Sequence, residues 1–79
     1  MLEANGRFYV VFSYHYDGYN GWNDPVFPAS EWTFAMDYLR KQQEEDDDFQ
    51  WNTETSLRKD LPYGYTELYI QEMTMNEEV

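Results

Sequence analysis

The chain contains no cysteine, a single histidine and only three serines, Ser13, Ser30 and Ser56. Without thiols it forms no disulfide, offers no Cys-based zinc site and has no thiol nucleophile. No GxGxxG, P-loop, HExxH or GxSxG pattern occurs in it. Carboxylates are the one class numerous enough to carry catalysis. A small domain with one helix gives them little depth for a polar cleft, so the chain is expected not to be an enzyme. A carboxylate hydrolase stays open as a third reading. Long apolar runs are missing too. Nothing approaches the ~20 residues of a transmembrane helix, and Met1–Gly6 has neither a basic n-region nor an apolar h-region. The expectation is a cytoplasmic protein with no membrane partner, in the infected host cell if the chain is phage-encoded.

Basic residues are the scarcest charged class. Five Lys and Arg face sixteen Asp and Glu, for a net charge of −11. Direct contact with nucleic acid or an anionic membrane is therefore unfavourable, and a basic partner surface is favoured. What the chain has in excess is aromatic: three Trp, eight Tyr and five Phe in 79 residues. Acidic disordered tails lack such side chains, so the expectation is one small folded domain over 1–79, with 1–6 and 76–79 as flexible ends. A domain this small buries only about 60% of its surface and is marginally stable.

Residues Phe8 to Tyr16 alternate as a strand. Phe8, Val10, Phe12, Tyr14 and Tyr16 form its continuous apolar face. Asp17 to Pro28, rich in Gly, Asn, Asp and Pro, reads as a loop, with Val26 and Phe27 either a short edge strand or a core plug. Ser30 is a good N-cap for an amphipathic helix over roughly 31–44, whose Trp32, Ala35, Met36 and Leu39 share one face. Phe49 to Leu57 alternates as a second strand. Arg58 to Gly64 reads as a hairpin connection, and Tyr65 to Met75 as a third strand with a bulge near Gln71. The expected fold is α+β: a three-stranded antiparallel sheet in split β-α-β order 1-3-2, with the helix on one face. The other face, assigned Tyr9, Val11, Tyr65 and Tyr69, is apolar enough to suggest a homodimer.

Two segments break local rules. Glu44, Glu45, Asp46, Asp47 and Asp48 stand where a helix should end, although helix C-termini favour cations. Their alternative is a solvated loop. Packed closely, such acids repel one another and would titrate above their ordinary range. Between Phe8 and Leu39 there is no Lys or Arg, while Asp17, Asp24, Glu31 and Asp37 all occur there. The loop around Asp17, Tyr19 and Trp22 concentrates aromatic, Gly and Asn residues, a binding-surface composition. Its alternative is that Tyr16 and Trp22 close the core. Asp17, Asn20, Asn23 and Asp24 lack the spacing of a Ca²⁺ loop, and His15 is isolated, so no metal or other cofactor is expected.

Duplex DNA carries one charge per ~1.7 Å, or roughly 18 over a domain about 30 Å across, half of them facing one side. A charge of −11 matches that in size. In size, charge and aromatic content the chain resembles the small acidic phage-encoded inhibitors of host defence, the anti-restriction and anti-CRISPR proteins. The resemblance covers composition across the chain and no matched positions, so it assigns no residue a role. It implies a protein that imitates nucleic acid and blocks the basic DNA or RNA groove of a host defence complex. A CRISPR effector is the first target, and a restriction or repair nuclease the next. The partner-binding candidates are the acids named above together with Tyr19 and Trp22. The alternative function is a small module binding a peptide or other ligand through Tyr14, Tyr16, Tyr19 and Trp22.

Overall fold

The computed structural model describes residues 7–74. The segments expected as flexible ends, 1–6 and 76–79, lie outside the described residues. β1 (Arg7–Tyr16) is followed by β2 (Gly21–Ala29), α1 (Trp32–Glu45), β3 (Gln50–Thr53), β4 (Ser56–Leu61) and β5 (Gly64–Thr74). The strands form one sheet in the order β2-β1-β5-β4-β3, and every neighbouring pair is antiparallel. The expected three-stranded sheet is thus wrong in its strand count.

Two segments account for the difference. The supposed loop Asp17–Pro28 is mostly β2, hydrogen-bonded to β1 despite Pro25 and Pro28. Proline is tolerated because β2 is an edge strand, where a missing N–H need not cost a ladder bond. A register shift between Val11 and Phe12 absorbs the extra residue. The reversal before β2 is an Asx turn. Asp17 Oδ1 accepts from the backbone N–H groups of Tyr19 at 2.9 Å and Asn20 at 2.8 Å, and Gly18 takes φ +97°. The second difference lies in Phe49–Leu57, which is not one strand. It folds back at Glu54–Thr55 into β3 and β4, so Arg58 to Leu61 is strand rather than connection. No glycine or proline marks this turn. Side-chain hydroxyls serve instead: Thr53 Oγ1 lies 2.8 Å from Ser56 Oγ and accepts from Thr55 N–H at 3.1 Å.

Helix α1 leaves the β2 edge and reaches the β3 edge across one face of the sheet. Its N-cap position is Glu31, not Ser30, and no side chain caps it. Ala35 and Leu39 are buried against Val11, Ala29, Phe49, Leu57 and Leu68, with Tyr9, Phe27, Met36, Tyr38 and Ile70 at the margin. Phe27 stacks on Tyr38 at 4.5 Å, and Tyr9 meets Trp32 edge-on at 5.5 Å.

This packing reverses the expected parity of β1. Tyr9 and Val11 face the helix, opposite Ala29 and Phe27 on β2. Phe8, Val10, Phe12, Tyr14 and Tyr16 face away, in register with Met73, Gln71, Tyr69, Glu67 and Tyr65 on β5. Of the four residues assigned to the open face, only Tyr65 and Tyr69 lie there. The β1–β5 register runs unbroken past Gln71, so the bulge expected there is absent.

Candidate interaction surface

Pairing brings three connections to one end of the sheet. Tyr16, the last residue of β1, pairs with Gly21 and Tyr65. Tyr65 also pairs with Asp60, and Leu61 pairs with Gly64. The turn after β1 and the turn after β4 therefore sit side by side, and a Cβ on Gly18 would come 2.8 Å from the Tyr63 carbonyl oxygen. The α1–β3 loop joins them, since Gln50 is opposite Arg58 and Asp46 reaches Lys59. Asp17, Asp60 and the run Glu44–Asp48 thus belong to one end. Tyr19 and Tyr63 project from it, 90% and 75% exposed.

Within the acid run the five residues differ in role. Asp46 is the C-cap of α1. Its N–H donates to Gln42 O at 3.0 Å and its own carbonyl accepts from Phe49 N–H at 3.1 Å. Its Oδ1 accepts from Asp48 N–H at 3.0 Å and its Oδ2 from Lys59 Nζ at 2.6 Å. The Lys59 ammonium, and after it the Asp48 N–H, hold the Asp46 carboxyl below its ordinary range. This overturns the expectation of a raised value for that residue: the Lys59 and Asp48 N–H contacts outweigh the cost of partial burial. Glu44, Glu45, Asp47 and Asp48 are exposed. Asp17 is likewise lowered, by the N–H groups of Asn20 and Tyr19, and so shapes its own turn.

The other candidates are dispersed. Trp22 is at the same end of β2 and lies 4.8 Å from the ring of His15, whose Nδ1 is 2.9 Å from Thr66 Oγ1. Asp24 lies midway along β2, opposite Ser13. Glu31 marks the start of α1, a helix length away from the acid run. Asp37 is mid-helix and paired with Arg40 at 2.9 Å. Tyr14 and Tyr16 belong to the open sheet face and not to a loop.

Sequence reasoning missed Asp60 and Tyr63 because their segment looked like a connection. A Pro-Tyr-Gly tip presents its tyrosine much as Asp-Gly-Tyr does, and that was the available signal. Beside them, Asp48, Gln50, Trp51, Asn52, Arg58 and Asp60 line a shallow depression of about 440 Å³.

Charge pairing sharpens the asymmetry. Arg7, Arg40, Arg58 and Lys59 are each in an ion pair, with Glu72, Asp37, Asp60 and Asp46 respectively. Among the described residues, Asp17, Glu44, Glu45, Asp47 and Asp48 have no cation partner. No group of three or more His, Asp or Glu among the described residues is placed to hold a metal ion. No described helix is long and apolar enough to cross a membrane. No family model, curated protein or solved structure matches the chain.

Proposed function

We propose that the protein is a non-enzymatic acidic inhibitor that imitates nucleic acid and blocks the basic groove of a host defence complex. A CRISPR effector is the first target class, and a restriction or repair nuclease the second. The observation that carries this reading is the uncompensated acid at one end of the sheet. Asp17, Glu44, Glu45, Asp47 and Asp48 have no cation partner among the described residues, and the exposed rings of Tyr19 and Tyr63 stand beside them. Carboxylates held on a folded frame displace the counterions of a basic groove as phosphates do. Exposed tyrosines offer flat faces to side chains that otherwise stack on bases.

The test is capture of a purified basic nucleic-acid-binding complex, with duplex DNA as competitor. Excess DNA and added salt should both release the protein. Glu44→Gln, Asp47→Asn and Asp48→Asn combined should weaken capture at least about tenfold, since rim charges govern association. Asp46 is left intact because it is part of the fold. Capture unaffected by DNA, salt and the triple variant would overturn the reading.

A second reading, an aromatic module for a peptide or other ligand, is favoured by Trp22, about half exposed and set at a tilt against the His15 ring. Loss of binding in Trp22→Ala with the acid variants unaffected would select it.

A further inference from the structure

We infer that the open face of the sheet is a self-association surface, covered by a second copy of this chain. Helix α1 covers only one side of the sheet, and among the described residues nothing packs on the other side of this antiparallel layer. That side is aromatic at its centre. Phe12 stacks on Tyr69 at 5.7 Å, and Tyr65 lies 5.9 Å from Tyr14 and 5.7 Å from Tyr16. These five rings sit in two neighbouring groups on the paired inner strands β1 and β5.

Charge selects the occupant. Of the described charged residues, the pairing register places only Arg58, Asp60 and Glu67 on this face, and Arg58 is paired with Asp60 at 3.0 Å. The Arg58 guanidinium lies 3.9 Å over the Tyr65 ring, so even this cation contributes to the aromatic layer. The face is therefore near neutral on a chain of net charge −11. Two copies of so acidic a protein repel each other wherever their acids meet, and this is the broad surface on which they do not. A basic partner would instead be drawn to the acidic end. Depletion of charge with enrichment of tyrosine and phenylalanine is the composition of an interface core.

The area suffices. Strands of 10, 9, 4, 6 and 11 residues, at about 3.3 Å by 4.8 Å per residue, give a flat footprint of roughly 630 Å². Protruding side chains raise the accessible area toward the ~800 Å² per partner of a stable complex. Association through the β2 edge is hindered by Pro25, Pro28 and the irregularity between them. The β3 edge offers a strand of only four residues, too short to template pairing with another chain, so face-to-face packing about a two-fold axis, with sheets about 10 Å apart, is the arrangement left. This inference does not rest on the groove-blocking reading.

Sedimentation equilibrium of the full chain tests it. The expected mass at about 100 µM is twice the 9.6 kDa of one chain, falling toward one chain on dilution. Gln71→Glu adds a like charge at an exposed position of the face, opposite Val10, and should weaken the dimer at least about tenfold. Thr33→Glu, on the exposed side of α1, should leave it unchanged. Phe12→Glu should abolish it, and if that variant does not fold, Gln71→Glu decides. A single-chain mass at every concentration overturns the inference. So does a dimer indifferent to Gln71→Glu, or a monomer whose Gln71→Glu variant loses another partner.

Discussion

Lys59 Nζ donates to Asp46 Oδ2 at 2.6 Å, and this contact fastens the end of α1 to β4. One carboxylate thereby links the helix C-cap, the loop to β3 and the sheet. With its folded value below the ordinary 3.8, Asp46 binds fewer protons folded than unfolded as the pH falls through that region. Its contribution is therefore complete above the unfolded value and lost as pH drops through the lowered folded one. Asp17 acts in the same direction. Asp46→Asn should lower the melting temperature at neutral pH, and the advantage of the wild-type chain over this variant should shrink as the pH is lowered from about 6 toward about 3. Thermal melts of the two proteins across the pH series check this, and an advantage that persists undiminished at about pH 3 would contradict the assignment.

The core is small enough that one residue decides its integrity. Leu39 and Leu57 are fully buried on opposite sides of the helix–sheet contact. Leu39→Ala should cost about 2–5 kcal/mol, combining lost transfer energy with a cavity, which is a large part of a small domain's stability. Phe34→Ala, on the same helix but half exposed, should cost far less. Urea unfolding of the two variants measures the contrast.

Gly64 opens β5 directly against β1. A Cβ there would overlap the carbonyl oxygen of Tyr16, which belongs to the backbone and cannot rotate away. Gly64→Ala should therefore pry apart the end of the β1–β5 pairing. Amide exchange should accelerate around Tyr16 and Tyr65, which face each other at that end, while the middle of the sheet keeps its protection. Unchanged exchange at these two residues would show that the end relaxes around a methyl group.

The parts of the fold legible in the sequence were those where periodicity and burial agree. In the helix, Ala35 and Leu39 at i and i+4 are both buried, and β1 follows its aromatic alternation. What was illegible has physical causes. β2 carries Pro25 and Pro28, which argue against a central strand and are silent about an edge. The reversal at Glu54–Thr55 is built from Thr and Ser hydroxyls, which bind the backbone without the usual turn residues. The facing of β1 was misread because both its parities are apolar, and the smaller Tyr9–Val11 side is the one a helix can approach. In the acid run, nothing local distinguishes Asp46 from Asp47. Only the long-range partner Lys59 separates the structural carboxylate from the exposed ones.

Two electrostatic effects oppose each other, and added salt tells which is larger. Screening weakens the four ion pairs among the described residues, which lowers stability, and weakens repulsion among unpaired acids, which raises it. In the pairs with Arg7, Arg40 and Arg58 the side chains are substantially exposed, and such contacts contribute little. Only Asp46–Lys59 is more enclosed. Against these stands a net charge of −11, with Glu44, Glu45, Asp47 and Asp48 crowded around one helix end whose dipole is also negative there. Repulsion should win. The melting temperature at neutral pH should rise when salt is raised from about 0.02 M to about 0.15 M, where the Debye length shortens to ~8 Å. Asp47→Asn with Asp48→Asn should raise the low-salt melting temperature and reduce its salt dependence, in contrast to the loss expected for Asp46→Asn. A melting temperature that falls with salt would mean that the ion pairs dominate, and that the acid end is stabilised by neighbours rather than strained by its own charge.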